Sequence, residues 1–185
     1  MREPFEIRTP LGVDVRAGLN VGDSVLLSGW VYTGRDAAHR RLFEALVRGE
    51  SLPINLRDEV MFYAAPTPAR PGQIIGSIGP TTSGRMDAFT PRLLDAGLRG
   101  MIGKGMRSPE VVDAIKKHQA IYFGAIGGVA ALTARCIKRA AVAAYDDLGP
   151  EAILRLKVER LPLVVVNDMR GADLYREASG FFESG

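Results

Sequence analysis

Apolar and polar residues follow two different periods along the chain, and the alternation of these periods predicts an α/β fold. Residues 25–31 form an apolar, partly alternating run that predicts a strand ending near Gly34. The next segment carries apolar residues at helical spacing: Ala38, Leu42, Ala45 and Leu46. We therefore expect a helix that follows the strand and stops at Gly49.

The middle of the chain repeats this order of strand and helix. Apolar runs at 59–66 and 73–80 predict two short strands separated by a proline-rich turn. A short helix is expected over 86–97, and a strand over 98–105. Residues 120–128 predict a further strand that ends in a double glycine.

Three later segments complete the predicted architecture. Ser108 is placed to cap a helix that has Pro109 at its first position. Residues 129–145 are rich in good helix formers and predict another helix. Residues 153–175 alternate, with a turn at 168–171, and predict β-structure that closes the fold. The whole chain, residues 1–185, is therefore expected to form a single α/β domain with a mixed sheet.

Composition narrows the class of protein. The chain is 46% hydrophobic and 24% charged, as in ordinary globular proteins. Its net charge of +3 is too small to indicate a nucleic-acid partner. The N-terminus has no apolar leader, and no stretch approaches the roughly 18 apolar residues of a membrane span. We expect a cytoplasmic protein with no membrane partner.

The chain has one cysteine, Cys136, which lies in an alanine-rich apolar segment. A lone cysteine cannot form an internal disulfide, nor can it hold an iron–sulfur cluster or a structural zinc ion by itself. We interpret Cys136 as a buried structural thiol and expect no metal site on this chain.

Basic residues beside glycine follow three of the predicted strands: Arg35, Arg85 and Lys104. Ligands of α/β proteins gather outside the carboxyl ends of the strands. Arginine binds a carboxylate through paired donors and lysine adds a point charge, so together these cations suit a small molecule with two carboxylates. Each residue taken alone is more often an ordinary surface cation. Their repetition at equivalent positions favours the binding hypothesis.

The loop 79–86, GPTTSGRM, adds hydroxyl groups to the same prediction. Thr81, Thr82 and Ser83 precede Arg85 between two glycines, within reach of one point. A plain solvent loop needs turn formers but does not need these four polar side chains together. We expect this loop to hold a small dianion.

Three other groups allow more than one interpretation. Asp36 and His39 share one helical face, which suits acid–base work or orientation of Arg35, or else a helix cap and a solvated histidine. His118 is expected to be a favourable charge at a helix end. Residues 124–132, GAIGGVAAL, could cradle a phosphate but lack the spacing of a nucleotide motif. Close packing of strand and helix, or amides aimed at a carboxylate, explains that segment equally well.

Several motifs together resemble the β subunit, or C-terminal domain, of the class I fumarases and the related tartrate dehydratases. They are GRDAAH, GPTTSGRMD, GKG, AIGGVAAL and the late DLGPEAI…KVERLPLVVVNDMRGADLY, in family order from about residue 22 to 175. The resemblance implies a swivelling β/β/α domain. It also implies a 4Fe-4S cluster held by a partner α subunit, whose open iron acts as a Lewis acid, and an α2β2 assembly with the site at the junction.

The resemblance further implies a reaction and roles for particular residues. The reaction is the reversible hydration of fumarate to L-malate, a C4 dicarboxylate. Carboxylate binding falls to Arg35, Arg85 and Lys104, while Thr81 matches the threonine proposed as catalytic base. Thr82 is expected to bond substrate oxygens or shape the turn. Asp36 and His39 are expected to orient Arg35, to assist catalysis or to meet the α subunit.

Other functions remain open at this stage. Tartrate dehydratase and a hydratase for a methylated fumarate use the same core motifs, and residues of the α chain would discriminate among them. A small-anion-binding regulatory module that kept the fold is a non-enzymatic alternative, against which Thr81, Arg85 and Lys104 argue. An α/β domain of unrelated function is the least specific alternative.

Overall fold

The computed structural model describes residues 3–125 and 130–182. Its strands are β1 (Phe5–Arg8), β2 (Ser24–Thr33), β3 (Val60–Phe62), β4 (Gly100–Gly103), β5 (Ile121–Ala125), β6 (Ile137–Ala144) and β7 (Ile153–Asn167). Its helices are α1 (Val13–Ala17), α2 (Asp36–Val47), α3 (Thr90–Asp95), α4 (Pro109–His118), α5 (Ala130–Cys136) and α6 (Leu174–Phe182). Short 3₁₀ helices occur at Ser83–Met86 and Asp146–Glu151.

Five strands close into a barrel. β2, β3, β4 and β5 are parallel in that order, and β7 runs antiparallel to both β5 and β2. β1 pairs with the first half of β2, and β6 pairs with the first half of β7. The predicted α/β class and mixed sheet are confirmed. The closure of the sheet was not foreseen from the sequence.

A β-bulge at Gly29 allows the two halves of β2 to pair with different strands. Residues 25–28 pair with β1, whereas Tyr32 and Thr33 pair with β3. The register with β7 shifts between Leu27 and Gly29. Gly29 has φ +120°, and a Cβ atom there would lie 2.2 Å from Thr9 Oγ1, so glycine is required where the strand bends.

The predicted strand at 73–80 is wrong, because this segment has no strand conformation. The chain folds back on its own loop, since Thr67 N donates to Ser77 O at 2.9 Å. A Cβ atom at Gly76 would lie 2.1 Å from Thr67 O. Ile75 and Ile78 are nevertheless buried, which explains why the apolar pattern resembled that of a strand.

The predicted helix at 129–145 is correct only in its first part, since α5 ends at Cys136 and β6 follows at once. Alanine-rich sequence tolerates either conformation, and pairing with β7 satisfies the backbone of residues 137–144. The tail contains the predicted turn, with Gly171 N donating to Asp168 O, but it continues into helix α6.

Helices and sheet enclose two apolar clusters. One lies within the closed sheet and includes Phe62, Ile102 and Phe123. The other lies between the sheet and helices α2, α3 and α4, and includes Met61 and Met101. The parallel strands are therefore buried on both faces, which fits their continuous apolar sequences. No helix in the described ranges is long and apolar enough to cross a membrane.

Candidate active site

The parallel strands deliver their terminal loops to one edge of the barrel. Arg35 follows the end of β2, and Lys104 follows the end of β4. The loop 79–86 reaches the same edge, because Thr81 N donates to Tyr63 O at 2.7 Å and Ser83 N donates to Lys104 O at 2.9 Å. The structure thus brings together the three segments whose convergence the sequence predicted.

The close approach of these segments depends on Gly103. A Cβ atom at this position would lie 1.8 Å from Ser83 Oγ and 3.1 Å from Tyr63 Cδ2. Glycine therefore allows loop 79–86 to pack directly on the end of β4. Ser83 itself is fully buried, while Thr81 is half-buried and Thr82 is exposed.

Arg35, Arg85 and Lys104 are the three predicted carboxylate-binding cations, which we call the clamp. Asp36 lies close to both arginines of the clamp. Its Oδ1 accepts from Arg85 Nε at 2.9 Å, and its Oδ2 lies 2.9 Å from Arg85 Nη2. Arg35 Nε is 4.0 Å from Asp36 Oδ2. The carboxylate therefore binds Arg85 along the Nε edge of its guanidinium, leaving Nη1 for a ligand.

Arg35 has a second carboxylate neighbour that the sequence did not indicate as a site residue. Glu151 Oε1, at the end of the second 3₁₀ helix, lies 3.4 Å from Arg35 Nε. Arg35 Nε and His39 Nε2 are buried without a hydrogen-bond partner. Such atoms cost free energy unless a ligand or partner meets them, so their position at this edge favours a binding site.

His39 is fully buried, so the alternative of a solvated histidine is wrong. Its Nδ1 lies 2.9 Å from Arg35 O, which can only accept, so Nδ1 carries the proton. Burial lowers the pKa of His39 to about 4. The ring stands edge-on to Tyr63, with centroids 5.0 Å apart, and its Nε2 has no hydrogen-bond partner. His39 is therefore neutral at pH 7 and contacts the backbone of Arg35.

Arg107 is the main residue of this region that the sequence reasoning missed. Its side chain is completely buried, and its Nε donates to Asp87 Oδ1 at 2.8 Å. It also donates to Thr90 Oγ1 at 2.8 Å and lies against the rings of Tyr63 and Tyr122. The sequence offered only its position three residues after Lys104, without any periodic pattern.

Tyr122 is a second missed residue. Its hydroxyl lies 2.8 Å from Ser83 Oγ and 2.9 Å from Gly105 O. The carbonyl can only accept, so the phenol donates to Gly105 O and its oxygen accepts a hydrogen bond from the Ser83 hydroxyl. Burial raises the pKa of Tyr122, which keeps the phenol protonated. This hydroxyl thereby joins loop 79–86 to the segment after β4.

The remaining sequence predictions lie away from this edge or outside the described residues. His118 lies at the end of α4, with Nε2 2.9 Å from Asp95 Oδ1. Cys136 is half-buried and not fully enclosed, and burial raises its pKa. Residues 126–129 of the glycine-rich segment are outside the described part. Within that part no cluster of three or more His, Cys, Asp or Glu side chains is suited to a metal ion.

Known proteins are similar to this chain over most of its length. Residues 9–178 match the family described as Fumarase C-terminus. An aerobic class I fumarate hydratase of Salmonella typhimurium is 42% identical over 159 residues, which are 85% of this chain and 27% of that protein. Fumarate hydratase 2 of Leishmania major is 40% identical over 84% of this chain and 28% of its own length.

Another relative matches over most of both lengths. The putative L(+)-tartrate dehydratase subunit beta of Methanocaldococcus jannaschii is 36% identical over 87% of this chain and 86% of its own length. The chain thus spans only about a quarter of the fumarate hydratases but nearly all of the tartrate dehydratase subunit. By both measures, the chain belongs to the Fumarase C-terminus family of class I fumarate hydratases and tartrate dehydratase β subunits.

Proposed function

We propose that this chain is the β subunit of a class I hydro-lyase that reversibly hydrates fumarate to L-malate in the cytoplasm. The observation that carries the proposal is the position of Arg35, Arg85 and Lys104 on adjoining loops at one edge of the barrel. Fumarate carries two carboxylates, and two guanidinium groups with one ammonium group suit them. Residues 1–185 then form one domain of the swivelling β/β/α type.

The three cations have a catalytic role beyond binding. Removing the malate proton from the carbon beside a carboxylate produces an aci-carboxylate with additional negative charge. Positive groups already in place around that carboxylate stabilise the charge as it develops. Arg85 and Lys104 extend from loops joined by a backbone hydrogen bond, so they are preorganised for this task.

Thr81 is proposed to exchange the proton with the substrate carbon. An alcohol is a poor base at neutral pH, so its own proton must pass to an acceptor, which we assign to acidic residues of the partner. The backbone of Thr81 is held by Tyr63 O. Thr82, which is exposed, is proposed to bond a substrate oxygen, whereas the Ser83 hydroxyl is hydrogen-bonded to Tyr122.

Asp36 and His39 are proposed to orient the two arginines of the site, Arg85 and Arg35. Asp36 holds Arg85 along one edge and leaves the rest of the guanidinium for a carboxylate. His39 contacts Arg35 through a hydrogen bond from its Nδ1 to the Arg35 carbonyl oxygen. Because its pKa is lowered by burial to about 4, His39 serves here as a neutral group that orients Arg35.

The residues of this chain do not fit the iron–sulfur cluster that the family implies. The sequence contains one cysteine, and the described residues include no metal-binding cluster. We therefore assign the 4Fe-4S cluster to a partner α subunit and derive no step through it. The name of the Methanocaldococcus jannaschii relative, a subunit beta, supports a separate α partner, and we propose an α2β2 assembly.

Tartrate dehydratase is the second candidate. It is favoured by the relative named as a tartrate dehydratase subunit, which this chain matches over 86% of that protein's length. Both substrates are C4 dicarboxylates, so the same cations serve either reaction. A methylated fumarate is a further candidate substrate, and a small-anion-binding regulatory role is the non-enzymatic one.

An anaerobic pull-down from the native host, with this chain as bait, tests the proposal. The eluate is assayed for iron, sulfide, fumarate hydration and tartrate dehydration. Malate formation by a complex with a cysteine-bearing iron–sulfur partner is the expected result. Activity on tartrate alone would establish the second candidate instead. Absence of an iron–sulfur partner, or hydration by the isolated iron-free chain, would overturn the two-subunit mechanism.

A further inference from the structure

Arg107 is a buried cation next to the proposed clamp, yet it cannot contact a ligand in this conformation. Its side chain has no exposed surface. Burial works to lower its pKa, but Tyr63 and Asp87 raise that pKa overall, so the guanidinium is charged. A charge with no access to solvent must be compensated by its neighbours, which makes the identity of those neighbours informative.

The first neighbour, Asp87, ties two segments of the site together. Its Oδ1 accepts from Arg107 Nε at 2.8 Å, and its Oδ2 accepts from Ser108 N at 2.7 Å. Asp87 directly follows the 3₁₀ helix that carries Arg85, whereas Arg107 belongs to the segment that carries Lys104. One carboxylate thus fixes the spacing between the two cation-bearing loops.

The other neighbours extend the same link. Arg107 Nη2 donates to Thr90 Oγ1 at 2.8 Å, at the start of α3. The guanidinium carbon lies 5.3 Å from the Tyr63 ring centroid and 4.9 Å from that of Tyr122. Tyr63 O accepts a hydrogen bond from the Thr81 amide, and the Tyr122 hydroxyl is hydrogen-bonded to both Ser83 Oγ and Gly105 O. These partners of Arg107 therefore each contact, or directly adjoin, loop 79–86 or the segment that carries Lys104.

We propose that Arg107 is a positioning residue that sets the relative placement of Lys104 and loop 79–86. Its planar fork bonds a carboxylate and a hydroxyl in different directions while stacking on two rings. Lysine carries the same charge but cannot reproduce that geometry. A 1 Å displacement of one clamp residue relative to another is sufficient to reduce catalysis by about 10²-fold.

A second buried arginine provides a matched control. Arg16 is 5% exposed, and its Nη2 lies 3.8 Å from Asp58 Oδ1. Asp58 lies just before β3, so this pair belongs to the opposite edge of the barrel. Replacement of Arg16 disturbs a buried arginine without changing the loops of the site.

The experiment compares Arg107→Lys with Arg16→Lys in the assembled enzyme, measuring kcat and KM for fumarate together with iron content and subunit stoichiometry. Arg107→Lys is expected to lower kcat/KM by about 10²-fold, with assembly unchanged, because the clamp is no longer aligned. Arg16→Lys is expected to leave both kinetic constants unchanged. Equal kinetic effects of the two substitutions, or none, would overturn the proposal.

Amide exchange provides a readout that does not depend on the proposed reaction. The Ser83 amide, bonded to Lys104 O, is expected to exchange faster in Arg107→Lys and at the wild-type rate in Arg16→Lys. Tyr122→Phe, which removes only a hydroxyl, should accelerate the same amide to a smaller extent. Unchanged Ser83 exchange in both site variants would refute the link. Failure of the wild-type complex to hydrate fumarate would instead refute the proposed function, on which only the kinetic part rests.

Discussion

The two edges of the barrel both carry arginines and aspartates but use them differently. At the edge where the parallel strands begin, arginine side chains mostly bind backbone carbonyls. Arg99 donates to Leu94 O and Leu98 O, and Arg170 donates to Leu19 O at 2.7 Å. At the edge where these strands end, Arg85 and Arg107 bind carboxylates.

This difference distinguishes arginines that satisfy the backbone of the fold from polar groups that remain available to a ligand. Carbonyl-bound arginines complete the hydrogen bonding of loops and leave little capacity for binding. At the opposite edge Arg35 Nε and His39 Nε2 are buried and have no hydrogen-bond partner. At the first edge Arg16 Nε and Nη1 and Asn167 Oδ1 also have no hydrogen-bond partner, and there burial lowers the pKa of the Arg16 guanidinium. Among the described residues such atoms occur at both edges, so the difference between the edges lies in what the arginines bind.

The largest expected effect comes from removing one clamp cation. Arg85→Ala or Lys104→Ala should reduce kcat/KM of the assembled enzyme by about 10³-fold, because the charge that develops on the substrate loses a preorganised partner. Arg170→Ala, at the other edge, should change stability but not the kinetic constants. Steady-state kinetics with fumarate measure both. Near-normal turnover in the two clamp variants would eliminate the clamp assignment.

The two histidines should differ in how they affect stability with pH. His39 has an unfolded-state pKa near 6.5 and a folded-state pKa of about 4, so its contribution is full above pH 6.5 and lost as pH falls toward 4. The difference corresponds to about 3 kcal/mol in the free energy of unfolding. Urea unfolding from pH 7 to 4 should therefore show a much weaker pH dependence in His39→Gln. His118, whose side chain is 15% exposed and contacts Asp95, lies at the other edge, so His118→Gln should retain most of the dependence. Equal pH dependence in wild type and His39→Gln would contradict the assignment of a buried neutral imidazole.

Two glycines at opposite ends of β4, Gly100 and Gly103, allow the two edges of the barrel to be compared along a single strand. Gly103→Ala places a Cβ atom 1.8 Å from Ser83 Oγ, so it should displace loop 79–86 and reduce activity about tenfold. Gly100→Ala, at the beginning of the strand, meets the side-chain carbons of Val60 and Leu11 and should affect stability alone. The double variant Gly103→Ala with Ser83→Gly should recover part of the activity. If the two single variants were equally active, packing at Gly103 would not control the site.

The last prediction compares two aspartate–arginine pairs that each include one residue of helix α2. Asp36→Asn weakens the contact with Arg85 and should raise KM about tenfold, the equivalent of one charge-assisted hydrogen bond. Asp147 binds Arg41 on the exposed side of the same helix, with Oδ1 and Nη1 2.8 Å apart. Asp147→Asn should leave KM unchanged, since exposed ion pairs contribute little. Equal KM values for the two variants would show that Asp36 does not prepare Arg85.

Local sequence patterns correctly predicted much of the fold around the site. Ser108 caps α4 as expected, with its hydroxyl accepting from Val111 N, and Pro109 is the first helical residue. Gly103 ends β4 immediately before Lys104, as the glycine-flanked lysine indicated. These features depend on neighbouring residues and were therefore visible in the sequence.

Pairings between distant segments were not predictable in this way. The strand β6 forms from alanine-rich sequence only because β7 lies beside it. Asp36 was expected to orient its neighbour Arg35, but it binds Arg85, 49 residues away, more closely. The sequence alone contains no measure of such distances, so charge type was predicted and charge pairing was not.

The sequence by itself determined that basic residues follow two of the strands, Arg35 after β2 and Lys104 after β4, and that the hydroxyl-rich loop 79–86 carries Arg85. Only the tertiary structure decided that β7 closes the barrel, that His39 is neutral and buried, and that Arg107 joins the two loops. The physical reason is the distance along the chain over which each effect acts. Periodicity and capping act within a few residues, whereas burial, pKa and ion pairing depend on which distant segments the closed sheet brings into contact.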